Sequence, residues 1–188
     1  MRTLSYFATS LAIASAAVPA AAQVYVGDTT GSPVYHRVIA NGNSAPVNLS
    51  GVGTNVAYDA LTFSVSANGN YSFDLSSSFD NFLTLYLGSF DPSSPLNNAL
   101  IADDDAGAGF NAAFTQALLT GTTYVAVASA YANNSAGPYT LTISGPGQSS
   151  LVAAGAVPEP ATWMMLLLGF GGIGMALRRA PKVAVRFT

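Results

Sequence analysis

The chain has no cysteine among its 188 residues, so neither a disulfide nor a thiolate-bound metal can contribute to it. Its single histidine, His36, excludes metal sites built from several imidazoles, and any nucleophile–base triad would have to run through that one residue. Charge is scarce as well. Six Lys or Arg and nine Asp or Glu make up 8% of the chain, against roughly a quarter in an ordinary soluble domain. With half of the residues hydrophobic and a mean hydropathy of +0.38, a disordered polyelectrolyte is excluded. One folded domain is the most that fits this length and composition.

The apolar excess is concentrated at the two ends. After Arg2, an apolar stretch runs from Leu4 to Val18 and ends in Ala20-Ala21-Ala22. A positive start, an apolar middle and an A-x-A end predict a secretory signal peptide over residues 1–22, cleaved between Ala22 and Gln23. At the other end, residues 151–160 read as a linker containing Val157-Pro158-Glu159-Pro160. The uncharged run Ala161 to Leu177 follows, then Arg178, Arg179, Lys182 and Arg186. At about 1.5 Å per residue that run reaches roughly 26 Å, barely the thickness of a ~30 Å hydrocarbon core. The spacing predicts a short transmembrane helix with a basic stop over 161–180, starting near Pro160, and a cytoplasmic tail over 181–188. Trp163 falls at the membrane interface, and the positive-inside rule puts the bulk of the chain on the outer side.

Val157-Pro158-Glu159-Pro160-Ala161-Thr162-Trp163, the Gly169-to-Gly174 segment and the Arg178-Arg179 pair resemble the PEP-CTERM sorting segment of Gram-negative bacteria, which is also named after the C-termini of some ice-binding proteins. The resemblance implies recognition by a membrane-embedded exosortase that cleaves near the Pro-Glu-Pro motif. By it, the sorting residues are Pro158, Glu159, Pro160, Trp163, Arg178 and Arg179, and the protein is anchored in the inner membrane before it is processed to the cell surface or beyond.

Between the ends, residues 23–150 form the expected ectodomain. Arg37 is its one Lys or Arg against eight aspartates, a net charge of −7 that repels phosphate backbones and sets nucleic acid aside as a partner. Alternating apolar and polar residues predict strands at 34–39, 61–66, 71–75 and 83–87, and further strands are expected at 99–102, 114–119, 124–129 and 139–143. Asn68-Gly69 reads as a hairpin turn between the second and third of these. The expected fold is all-β: a jelly-roll-like sandwich of about eight strands, flanked by the signal helix and the transmembrane helix. Tyr71-Ser72-Phe73-Asp74-Leu75, Asp80 to Tyr86, Asp103 to Gly107, Gly121 to Val127 and Gly137 to Ile143 are similar to the bacterial pre-peptidase C-terminal domain, a jelly-roll accessory module of exported proteins.

Candidate sites within the ectodomain are few. Asp103-Asp104-Asp105 is the densest charge cluster, and oxygen-rich loops bind Ca²⁺. An EF-hand is excluded, because Ala108 stands at position 6 and Phe114 at position 12 of the loop counted from Asp103. The remaining Ca²⁺ arrangement joins Asp80 with Asp103 and Asp105. No cofactor is otherwise called for. His36 has no G-x-S-x-G partner, and no pair of carboxylates has a spacing that suggests glycoside hydrolysis, so no catalytic residue is assigned. Tyr86, Tyr131 and Tyr139 would form a sugar-stacking platform if exposed. The sequence therefore points to an exported, non-enzymatic protein of the envelope or exopolysaccharide matrix, with exosortase and the inner membrane as partners. The alternatives are a carbohydrate- or ice-binding module and an accessory domain of a secreted hydrolase system.

Overall fold

A computed structural model describes residues 22–152 and residue 170. By its contacts the chain divides into Met1–Val152 and Ala153–Thr188. The helices expected over 1–22 and 161–180 lie outside the described residues. Among the described residues no helix is long and apolar enough to cross a membrane.

The ectodomain contains ten strands: β1 (Gln23–Asp28), β2 (Val34–Tyr35), β3 (Val56–Val65), β4 (Gly69–Ser77), β5 (Asn81–Leu87), β6 (Ala99–Asp103), β7 (Ala113–Leu118), β8 (Tyr124–Ala130), β9 (Pro138–Ser144) and β10 (Ser149–Leu151). They form two antiparallel sheets. One has four strands in the order β1-β9-β4-β7, and the other has six in the order β10-β3-β8-β5-β6, with β2 also pairing β3. Eight of the ten match expected strands. β1 and β10 were not foreseen, and β1 begins at Gln23, the residue that follows the predicted signal-peptide cleavage point.

The main core lies between the sheets. Phe63, Val65, Leu83, Leu85, Ile101, Tyr124, Ala126 and Ala128 of the larger sheet meet Tyr71, Phe73, Leu75, Phe114, Leu118, Leu141 and Ile143 of the smaller one. Successive side chains of a strand point to opposite faces, so the apolar residues at alternate positions of β4 and β9 all enter this layer. Phe63 and Phe73 meet across it with tilted rings whose centroids are 6.0 Å apart, and Phe73 packs on its strand partner Phe114 within the smaller sheet at 5.0 Å. Tyr25 of β1 adds a polar tie, its hydroxyl donating to the Ser149 carbonyl of β10 at 2.9 Å.

The hairpin expected at Asn68-Gly69 does not form. β3 pairs with β8, β2 and β10, whereas β4 pairs with β7 and β9. The chain does reverse there, but β3 and β4 then face each other through their side chains instead of pairing at their edges. Both carry large apolar residues at alternate positions, and burying these against each other removes more apolar surface from water than one ladder of hydrogen bonds would.

Nor do residues 34–39 form one strand. The strand stops at Tyr35, because the backbone of the following residues pairs locally with the segment 48–53 instead of with the sheet. Arg37 N donates to Gly53 O, Ser50 N to Arg37 O, and Ile39 N to Asn48 O, at 2.9–3.0 Å. This excursion and the loop 88–98 cover the outer face of the six-stranded sheet. Under them lie two smaller clusters: Tyr35, Val56, Tyr86, Val125 and Val127 with Tyr58 and Phe90, and Val38, Phe82 and Ala102 with Tyr131. For that reason all seven residues of β8 and six of the seven in β5 are buried, as in a central strand covered on both faces.

Candidate functional site

The sequence motifs of β5, β6 and β8 converge at one end of the larger sheet. Asn81 pairs with Ala130, and Leu83 with Asp103, so Asp80, the 103–105 loop and Tyr131 all emerge at that end. The 36–53 excursion brings Arg37 to the same place.

Arg37 is buried, with 2% of its surface exposed. Its guanidinium carbon lies 4.2 Å from the centroid of the Phe82 ring and 4.5 Å from that of Tyr131. A cation over an aromatic face is attracted by the ring quadrupole, and the delocalised guanidinium is weakly enough hydrated to be placed between two rings. Nε donates to Tyr131 O at 2.8 Å and Nη1 to Val38 O at 2.9 Å, so these hydrogen bonds go to carbonyls and not to a carboxylate. Burial lowers the Arg37 pKa, an effect partly offset by Tyr35, Tyr131 and Asp104. Gly53 is required alongside, because a Cβ there would fall 2.6 Å from Arg37 Cγ.

A pocket of about 270 Å³ opens over this residue, lined by Arg37, Ser50, Val52, Phe82, Asp104 and Tyr131, with Ile39, Ala40 and Gly51 completing the wall. His36 stands behind it, half-buried, and its Nε2 donates to the Ser50 carbonyl at 2.6 Å. That bond fixes the tautomer with the proton on Nε2 and leaves Nδ1 as the acceptor nitrogen.

The acidic cluster divides its work. Asp103 Oδ2 accepts from Ala106 N at 2.9 Å and Ala113 N at 3.0 Å, pinning both ends of the 104–112 loop. Asp104 lines the pocket. Desolvation first, then Asp105 and Asp103, raise its pKa, and Arg37 opposes the rise. Asp80 shows the same pattern, with desolvation followed by repulsion from Asp105 and Asp104 raising it and Arg37 opposing; its Oδ1 is buried without a hydrogen-bond partner. The structure thus brings Asp80 into the field of Asp104 and Asp105. Among the described residues, however, no group of three or more His, Cys, Asp or Glu side chains could hold a metal ion.

These two raised values give a pH prediction. A carboxyl whose folded pKa lies above its unfolded value stabilises the fold below the unfolded pKa, and that contribution is lost as pH rises through the folded pKa. Lowering pH from 7 toward about 4 should therefore raise the melting temperature of the native protein relative to an Asp80→Asn/Asp104→Asn variant. Asp28 and Asp91, lowered by their bonds to Thr30 and Ser93, act in the opposite sense but are present in both proteins and cancel. Melts recorded across that range check the sign, and a gap between the two proteins that does not change with pH would refute it.

The tyrosine platform does not form. Tyr86 is fully buried with its hydroxyl on Pro95 O, and Tyr139 is buried with its hydroxyl donating to Asp59 Oδ2 at 2.6 Å. Tyr131 is partly exposed and engaged with Arg37. The outer face of the smaller sheet presents Val24, Val26, Ser72, Asp74, Thr115, Thr140 and Thr142, with no aromatic ring among these.

Sequence reasoning did not mark Arg37, Ser50, Phe82 and Asp104 as a group. The available signal was that Arg37 is the one cation of an acidic domain. The sorting residues Pro158, Glu159, Pro160, Trp163, Arg178 and Arg179, and Ala20 before the cleavage point, lie outside the described residues.

Residues 156–180 match the family model of the PEP-CTERM protein-sorting motif. The chain carries a PEP-CTERM sorting motif. The motif implies an exported protein that is held in the membrane before an exosortase processes it. The matched segment contains all six of the sorting residues named from the sequence. No curated protein matches the chain.

Proposed function

We propose that this protein is a non-enzymatic component of the cell envelope or exopolysaccharide matrix, delivered by its PEP-CTERM segment and acting through the β-sandwich that processing sets free. The observation that carries this reading is the sorting match at 156–180, just beyond a sandwich whose strands pair with one another and whose core is its own. An ectodomain of this kind needs no contribution from the anchor to stay folded once it is cut away. The reading as a non-enzyme rests on the sequence, in which His36 is the single histidine and no G-x-S-x-G motif accompanies it. The predicted signal peptide supplies export, and β1 starting at Gln23 is compatible with removal of everything before it.

The test is to fractionate a culture of the exosortase-bearing host into cytoplasm, membrane, matrix polysaccharide and medium. The ectodomain should be recovered mainly with the polysaccharide, or at the cell surface, and should shift to the medium when the polysaccharide is not made. Recovery of the mature ectodomain in the periplasm, unaffected by loss of the polysaccharide, would contradict the proposal.

A further inference from the structure

We propose that the pocket over Arg37 binds one neutral sugar unit, through hydroxyl groups held between the Arg37 guanidinium and the Asp104 carboxylate. This deepens the matrix reading, on which its biological setting rests.

Arg37 is the one cation of an acidic domain, and its two described side-chain hydrogen bonds are directed at Tyr131 O and Val38 O. A guanidinium has five N–H donors, so donors remain beyond those two bonds. Asp104 lines the same pocket and feels the Arg37 charge, yet its neighbours are Asp103 and Asp105, which repel it. The pocket lining therefore holds both a guanidinium donor and a carboxylate acceptor. A hydroxyl group both donates and accepts, so a pair of neighbouring hydroxyls satisfies both at once.

Charge then narrows the class of ligand. A carboxylate or phosphate ligand could bond to Arg37 but would meet Asp104 directly and Asp80 and Asp105 nearby, in a domain of net charge −7. A cationic ligand would meet the guanidinium. A neutral polyol encounters neither penalty.

Size and walls point the same way. About 270 Å³ falls just under the range of pockets for drug-sized ligands, which suits a single ring. Ile39, Ala40 and Val52 give apolar surface for the C–H face of a sugar, and Ile39 and Val52 are 44% and 49% exposed, so this surface is open to solvent. The floor is rigid. Phe82 is fully buried, the guanidinium is stacked between two rings, and Ser50 Oγ accepts from Val52 N at 3.1 Å and Gly53 N at 3.0 Å, which fixes the rim. A preformed floor lowers the ordering cost of binding.

The experiment uses the purified full chain in a zwitterionic detergent free of sugar headgroups. Methyl glucoside, methyl mannoside, methyl galactoside, sodium glucuronate and sodium acetate are titrated while the ¹⁵N–¹H resonance of the Arg37 side chain and ligand saturation-transfer signals are followed. At least one neutral glycoside should bind saturably and shift the Arg37 resonance. Asp104→Ala and Val52→Trp should each weaken that binding about tenfold or more, the first by removing a charged acceptor and the second by filling the pocket from an exposed position. Asp74→Asn, on the outer face of the other sheet, should bind as the native protein does. Melting curves confirm that each variant is folded, and with two independent variants the result does not hang on either one. The proposal is overturned if no neutral glycoside binds saturably, if glucuronate or acetate binds more tightly than the glycosides, or if folded Asp104→Ala and Val52→Trp bind undiminished. Because the test is run on purified protein, failure to bind sugar leaves the fractionation result standing on its own.

Discussion

Replacing Arg178 and Arg179 together by Gln, or Glu159 alone by Ala, should leave full-length precursor in the inner membrane and abolish release. The apolar run before the arginines is short, roughly 26 Å against a ~30 Å hydrocarbon core, so its depth is not fixed by hydrophobic length alone. By the positive-inside rule, cations after such a run are expected to set its orientation and stop it at the cytoplasmic face, each contributing about 1 kcal/mol near an anionic leaflet. Without two of the four, the segment can slide, and the Pro-Glu-Pro motif moves out of reach of a membrane-embedded protease. Glu159 acts at the other end. It is the single charge between two prolines that fix the local backbone, and Ala removes that charge while leaving both prolines in place. Immunoblots of membrane and released fractions give the readout. Normal release of both variants would show that processing does not read these residues. A chain ending at Pro160 should behave differently from both and appear as soluble protein outside the cytoplasm.

The largest expected effect on stability comes from Arg37→Ala, which should cost the ectodomain about 3 kcal/mol. The substitution removes a buried side chain stacked between Phe82 and Tyr131, leaves a cavity under the 36–53 excursion, and frees the Tyr131 and Val38 carbonyls. The charge itself is expensive to bury, and this part of the cost is recovered when the charge is deleted. Arg37→Met, which keeps most of the volume between the rings, should therefore cost only about 1 kcal/mol. For a domain of this size the Ala variant should melt roughly 10 °C below the native protein and the Met variant a few degrees below. Equal losses for Ala and Met would mean that the guanidinium's hydrogen bonds, and not its packing, hold the excursion down.

The strands legible in the sequence were those with one buried face or a continuous apolar run. Tyr71-Ser72-Phe73-Asp74-Leu75 alternates and is strand, and Tyr124 to Ala130, apolar except at Ser129, is a central strand covered on both sides. β1 was missed because its exposed side carries Val24 and Val26 while its inner side holds Gln23, Tyr25 and Gly27, which reverses the usual hydropathy signal. The turn at Asn68-Gly69 was legible, but partner choice was not. A turn signal reports a chain reversal, whereas the opposition of Phe63 to Phe73 across the core decides that β3 and β4 belong to different sheets. At the candidate site, the Asp103 to Asp105 cluster stood out by its charge alone. Its division into a loop staple at Asp103 and a pocket wall at Asp104 depends on which groups the fold brings to each, the Ala106 and Ala113 amides to the first and the pocket to the second, a long-range property. The pairing of Arg37 with Phe82 and Tyr131 joins three segments distant in sequence and left no local trace.

The central claim is that the protein is exported, held in the membrane and then released by cleavage at its sorting segment. Mass spectrometry of the released protein, purified from an exosortase-bearing host and from the same host lacking the exosortase, tests it most directly. The account predicts a released species that begins at Gln23 and ends near Pro158-Glu159-Pro160, seen only when the exosortase is present. In its absence, the chain should be found in the membrane with Arg178 to Thr188 still attached. A released protein that retains the tail, or one cut identically in both hosts, would contradict the account.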